Sequence, residues 1–221
     1  MSVVVTVYNG QRYLAETLQS VCSQSYTPME VIVVDDGSTD GSAGIIQSFK
    51  GARYMYQPNQ GVAIARNTGI RECSGEFIAF IDQDDLWHPQ KLAVQIKCLQ
   101  SDSRLGYVLV YEMLFLEEGA PRSVRGKQKL LNSPHPSYTP SALVARKDVF
   151  KTVGVFDPQY RISDDADWFF RAKTASIPME VHPEMLLKRR IHAGNISAHA
   201  ATVHKELLSI VRASLNRKRQ Q

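Results

Sequence analysis

The sequence predicts an α/β fold, a mostly parallel, doubly wound central sheet flanked by helices. Three observations predict it. Apolar runs at 2–7, 30–34 and 77–81 are short and unbroken by polar alternation, as expected of strands buried on both faces. Segments with apolar residues at helical spacing lie between them. Each run ends in a polar loop: Tyr8-Asn9-Gly10, Asp35-Asp36-Gly37-Ser38 and Asp82-Gln83-Asp84-Asp85. In a parallel sheet such loops share one edge, where open α/β sheets bind ligands.

The elements follow in order. Ser2 to Val7 is the first strand, closed by an Asn-Gly turn. Leu14, Leu18 and Val21 mark a helix over 11–23. Glu30 to Val34 is the second strand, and Ser42 to Phe49 a short helix. Arg53 to Tyr56 is a third strand, Pro58 to Gly61 a loop, and Val62 to Glu72 a helix carrying Arg66 and Asn67. The strand from Phe77 then runs into Asp82, Gln83, Asp84 and Asp85.

The second half is less regular. Pro89 to Gln100 reads as a helix with Leu92, Ile96 and Leu99 as its stripe, and Tyr107 to Leu116 as a strand. Glu117 to Tyr138, rich in Gly, Pro, Ser and basic residues, reads as a mobile loop. A strand over 141–145, a helix over 147–153, a turn over 154–158 and a helix over 164–174 follow. Met185 to Ile191 is strand-like and enters His192 to Ser197. Thr202 to Leu215 is an amphipathic helix ending in Arg217-Lys218-Arg219.

Composition bounds the function. With 221 residues, 43% hydrophobic and 22% charged, the chain is ordinary for a globular protein whose core needs no staples. Cys22, Cys73 and Cys98 are odd in number and lack metal-ligand spacing, so reduced thiols in a cytoplasmic protein are expected. No apolar run approaches the roughly 18 residues of a membrane span. A net charge of +4 is too mild to argue for nucleic acid.

The chemistry sits at the strand ends. Three carboxylates within four residues, Asp82, Asp84 and Asp85, repel unless a cation offsets them. Hard oxygen donors suit Mg²⁺ or Mn²⁺, although an acidic turn capping the next helix has the same sequence. Asp35 and Asp36 can accept from a ribose hydroxyl or a base N–H, while Asp40 and Ser42 suit a helix cap. No Gly-x-Gly-x-x-Gly follows the first strand, and no Gly-Lys-Ser/Thr is present. A nucleotide bound here needs another means of neutralising phosphate, and a cation on Asp82 and Asp84 supplies one. Arg190 and His192 share a face of their strand, and Arg189 points away.

Six segments resemble the family 2 glycosyltransferases of the GT-A fold: Thr6 to Asn9, Val33 to Asp40, Asn59 to Asn67, Phe80 to Trp87, Asp164 to Trp168 and Arg190 to Asn195. The resemblance implies one GT-A domain over 1–221, with a nucleotide-sugar half at 1–100, an acceptor half at 101–200 and a basic helix at 202–221. It implies a nucleotide-sugar donor, with UDP expected, held by Thr6, Tyr8, Asn9, Asp36, Arg66, Asp82, Gln83 and Arg190. Mn²⁺ or Mg²⁺ is implied on Asp84 with His192. Asp165, with Asp164 beside it, is implied as the general base of an inverting transfer. Departures are Val7 where the family often has proline, and Asp-Asp where it more often has Glu-Asp. No Gln-x-x-Arg-Trp is present, which argues against a processive polymerase. A carbohydrate, a lipid-linked or a peptide acceptor all fit. The basic helix end can stand solvated or rest on the inner face of an anionic membrane. A non-catalytic nucleotide-sugar module and a sugar-phosphate nucleotidyltransferase are the alternatives, the latter lacking its glycine-rich loop.

Overall fold

The computed structural model describes residues 1–117, 131, 133–195 and 200–219. Its strands are β1 (Ser2–Val7), β2 (Glu30–Asp35), β3 (Ala52–Tyr56), β4 (Phe77–Asp82), β5 (Leu86–Trp87), β6 (Tyr107–Leu116), β7 (His135–Pro136), β8 (Val144–Arg146) and β9 (Met179–Ile191). Its helices are α1 (Leu14–Cys22), α2 (Ser42–Ser48), α3 (Val62–Glu72), α4 (Lys91–Ser101), α5 (Val149–Val153), α6 (Asp164–Thr174) and α7 (Ala200–Arg219).

The sheet runs β3-β2-β1-β4-β8-β6-β9-β5, with β7 on β6. The β3-β2-β1-β4 half is parallel throughout. Its middle strands are apolar because helices cover both faces, and Val3, Val4, Val5, Ile32, Val33 and Ile81 have no accessible surface. Each such side chain stabilises the fold by about 1.5–3 kcal/mol. Val7 stands opposite Asp35, and Thr6 opposite Asp82. This register brings the ends of β1, β2 and β4 to one level. Helix α3 lies close on β1 because Gly69 has no Cβ to strike Val4. That close approach seats Arg66 beside the end of β4.

Beyond β4 the sheet is mixed. β8 is antiparallel to β4 and β6, β9 is parallel to β6, and β5 is antiparallel to β9. The C-terminal end of β9 therefore arrives at the same edge as that of β4. One hydrophobic core runs through both halves, from Val3 to Leu187.

The structure departs from the sequence reading mainly in the second half. β9 begins at Met179, six residues earlier than expected; its register on β6 slips between Val110 and Tyr111, beside Pro183. A bulge breaks period-two alternation, which hides the first part of the strand. The expected strand at 141–145 is a 3₁₀ turn over Pro140–Ala142 followed by β8. The expected loop at 117–138 contains β7, and its residues 118–130 and 132 lie outside the described residues. Helix α7 is longer than the expected 202–215. Among the described residues no helix is long and apolar enough to cross a membrane.

Candidate active site

A cleft of about 520 Å³ opens at the shared strand ends. Thr6, Tyr8, Asp36, Arg66, Asp82 and Gln83 line one side of it. Asp84, Asp164, Asp165, Arg190 and His192 line the other. Asn9 lies outside the lining.

The first side is a frame of loops tied together by side chains. Tyr8 N–H donates to Gln83 Oε1 at 2.7 Å, and Gln83 Nε2 donates back to Tyr8 O at 3.0 Å. Gln83 is thus a latch between the loops after β1 and β4. Asn9 Oδ1 accepts from Thr39 N–H at 2.8 Å, and Asn9 N–H donates to Ser38 Oγ at 2.9 Å. Asp36 is buried and accepts from Gln57 Nε2 (2.7 Å), Gln60 N–H (3.0 Å) and Gly61 N–H (2.8 Å). It therefore fixes the loop entering α3. Gly37 makes the preceding turn at φ +83°, where an L side chain is strained. Tyr8 stands 49% exposed at the mouth, its ring open to stacking.

Arg66 joins the two sides. It is buried, with Nη2 donating to Asp82 Oδ1 and Nη1 to Asp164 Oδ2, both at 2.7 Å. Its guanidinium lies over the Phe156 ring. Burial alone disfavours its charge, but Asp164, Asp82 and Asp165 hold it cationic. Ser141 Oγ accepts the Asp82 N–H at 3.1 Å, a partner with no sequence signal.

The second side concentrates negative charge. His192 Nε2 lies 2.8 Å from Asp84 Oδ2, and Asn195 Nδ2 donates to the same oxygen at 3.1 Å. Asn195 closes the motif that contains Arg190 and His192, so its position there was the available clue. Asp85 is buried behind this pair, and burial, then Asp84 and Asp82, push its carboxyl well above the usual range. Arg190 donates from Nε to Asp84 O at 3.1 Å and pairs with Glu16. Its guanidinium lies between the rings of Tyr13 and Phe115, 4.8 and 4.7 Å from their centroids. Arg189, expected to point away, also lines the cleft and lies 3.5 Å from Glu112.

Asp164 and Asp165 begin α6, where the helix dipole favours negative charge. Asp164 is fully buried on Arg66, and its Oδ1 has no hydrogen-bond partner. Asp165 is half-buried, and its Oδ1 accepts the Ala166 N–H at 2.7 Å. Burial and then the neighbouring Asp164 carboxylate push Asp165 up to about 7. A carboxylate at that value is half ionised near neutral pH, as a general base should be. The loop before α6 is held by α7: Glu206 accepts the N–H groups of Arg161, Ser163 and Ile162 at 2.8, 2.9 and 3.2 Å. Trp168 packs fully buried behind the loop among Tyr107, Phe150 and Phe156.

The donor set fits a divalent cation at Asp84. A carboxylate oxygen and an imidazole nitrogen converge on one point of the cleft, the carboxamide of Asn195 beside them. Carboxylate oxygens suit magnesium and manganese, and imidazole suits the transition metals.

The profile of the family described as "Glycosyl transferase family 2" matches residues 2–154. The chain belongs to glycosyl transferase family 2. A relative is an uncharacterised glycosyltransferase of Rickettsia typhi, 31% identical over 208 residues, covering 87% of this chain and 64% of the relative. This family 2 chain thus spans less than two thirds of that relative's length. Among solved structures, S. aureus TarS in complex with UDP-GlcNAc superposes with a TM-score of 0.75 at 20% identity, over 90% of this chain and 60% of TarS. The mannosyltransferase PcManGT of Pyrobaculum calidifontis, in complex with GDP-Man and Mn²⁺, gives 0.74 at 21% identity, over 97% and 64%. Both place the family 2 chain in the GT-A fold.

Proposed function

We propose that the protein is a metal-dependent, inverting glycosyltransferase that moves a sugar from a nucleotide diphosphate to an acceptor hydroxyl in glycan synthesis. One observation carries this reading. Asp84 with His192 and the raised Asp165 face the same cleft, one suited to a cation and the other to a proton. The base and ribose belong on the loop frame, with Tyr8 as the stacking platform and Thr6 and Asp82 beside it. UDP is the preferred nucleotide, in keeping with the UDP-GlcNAc complex of TarS, which shares the fold.

The transfer follows from these residues. Asp84 and His192 would hold the cation, which as a Lewis acid offsets charge building on the diphosphate. Arg190 backs that site by fixing the Asp84 main chain. Arg66 holds Asp164 in place and offsets part of the burial that raises its pKa, and the negative charge of Asp164 adds to burial in raising Asp165. Asp165 takes the proton of the acceptor hydroxyl as its oxygen attacks the anomeric carbon opposite the leaving phosphate. With one base and no enzyme nucleophile, the anomeric configuration inverts.

In this reading residues 1–100 form the donor half and 101–200 the acceptor half of one domain over 1–221. Acceptor contacts are expected from 117–145, of which 118–130 and 132 lie outside the described residues, and from 155–163. Helix α7 exposes Leu208, Val211 and Leu215 beside Lys205 and Arg212, an arrangement suited to an anionic membrane surface. Vesicles rich in anionic lipid should sediment the protein, and neutral vesicles should not.

The test is nucleotide release from a panel of nucleotide sugars and acceptors with Mn²⁺, alongside calorimetry of UDP binding. Turnover with one donor supports the reading. Absence of both turnover and nucleotide binding overturns it. Binding that persists while Asp165→Asn has no effect on cellular function favours a non-catalytic binding module instead.

A further inference from the structure

A second cluster of ligand-type side chains lies at the opposite end of the sheet. Cys98, Glu180 and His182 each offer a donor atom, and the three atoms lie within 4.8 Å of one another. Cys98 comes from the last turn of α4, and Glu180 and His182 from the first part of β9. Residues two apart on a strand share a face, so both β9 side chains are presented to α4. None of the three lines the nucleotide cleft. All three are half-buried, which holds them in place yet leaves a path from solvent. Glu180 and Glu184 place negative charge near the Cys98 thiol.

We infer that Cys98, Glu180 and His182 form a binding site for a soft or borderline divalent metal of the zinc class. Thiolate, imidazole and carboxylate together are a zinc donor set and a poor one for Mg²⁺. Three protein ligands leave a fourth tetrahedral position, which water or Glu184 completes. The three atoms need move only by a fraction of their present separation to meet zinc at about 2.0–2.3 Å. On binding, the thiol proton leaves to solvent, and the metal takes its place between the thiolate and the carboxylate. The site clips the end of α4 to β9, far from the transfer chemistry. Spacing in the sequence concealed it because its ligands come from two elements about eighty residues apart.

Co²⁺ titration of the reduced, intact chain tests this. A thiolate ligand gives a sulfur-to-cobalt charge-transfer band that an Asp84–His192 site, lacking sulfur, does not give. One equivalent of Co²⁺ should raise the band, Cys22→Ser should retain it, and Cys98→Ser should abolish it. His182→Gln should weaken Zn²⁺ binding about tenfold or more. Calorimetric nucleotide binding with Mn²⁺ should be unchanged in Cys98→Ser, which shows that the variant is folded. Absence of the band in the parent chain, or its survival in Cys98→Ser, overturns the inference. Equal Zn²⁺ affinity of His182→Gln and the parent overturns it as well.

Discussion

The two sides of the cleft are built on opposite principles. On the β1–β2 side the polar side chains are spent. Asn9, Asp36 and Gln83 all point their acceptors at backbone N–H groups of neighbouring loops. On the β9–α6 side the carboxylates crowd one another. Asp85, Asp164 and Asp165 all have raised pKa values, with burial the leading cause. The first side has shape without spare charge, and the second has charge without full compensation. A rigid, satisfied frame suits recognition of a flat, neutral base. An unsatisfied anionic wall suits a cation and a proton, which arrive and leave.

That contrast sets the order of expected effects. Asp165→Asn should lower kcat by about 10³-fold, within the range of general-base removal, with nucleotide binding intact. Equal loss of kcat and of nucleotide affinity would place Asp165 in the binding frame instead. Asp84→Ala should abolish Mn²⁺-dependent nucleotide binding and turnover together, and chelation of the metal should reproduce its effect on the parent. Retained Mn²⁺-dependent binding would remove Asp84 from the metal site.

Arg66→Met should destabilise the fold by about 3–5 kcal/mol in urea melts, because Asp82 and Asp164 lose their partner in a buried site. An unchanged midpoint would mean that the two sides are not joined through Arg66.

The pH profile of kcat/KM tests the charged wall alone. A base acts only when deprotonated, so the rate should fall as pH drops through about 7. The same raised value sets a stability trend. The folded pKa of Asp165 exceeds the unfolded one, so the folded state binds the proton more tightly, and stability from this group declines as pH rises from about 4 to about 7. Arg66→Met, where folded, should move the kinetic midpoint upward, since a neighbouring cation is lost.

The smallest effect belongs to the frame. Gln83→Ala removes two hydrogen bonds at the cleft mouth and should cost about 1–2 kcal/mol in denaturant melts. A loss of stability with a raised KM and an unchanged kcat would mark Gln83 as part of the frame. A fall in kcat alone would assign it to the charged wall.

These differences also explain what the sequence made legible. The parallel half was readable because burial on both faces leaves unbroken apolar runs, and those runs stop where the loops begin. Asp84 stood out because three clustered carboxylates repel unless a cation offsets them, and Asp165 stood out only through the family resemblance, since acidic residues are common at a helix N-terminus. The partners were not readable. Whether Asp36 faces a ligand or the Gln60 and Gly61 N–H groups depends on loop geometry that no local spacing encodes. Ser141 and Glu206 act through a hydroxyl and a carboxylate that look like ordinary turn and surface residues. The first half of β9 was hidden by its bulge, and the Cys98 cluster with it.

Glu206 has a consequence for how the molecule is made. The loop that sets Asp164 and Asp165 is anchored by a carboxylate 43 to 45 residues further along the chain. During synthesis β1, β2 and β4 emerge early and can pair, so the nucleotide frame is able to close while the ribosome is still working. The loop carrying Asp164 and Asp165 gains its clamp only after residue 206 has been made, whereas β1, β2 and β4 pair within the first 82 residues.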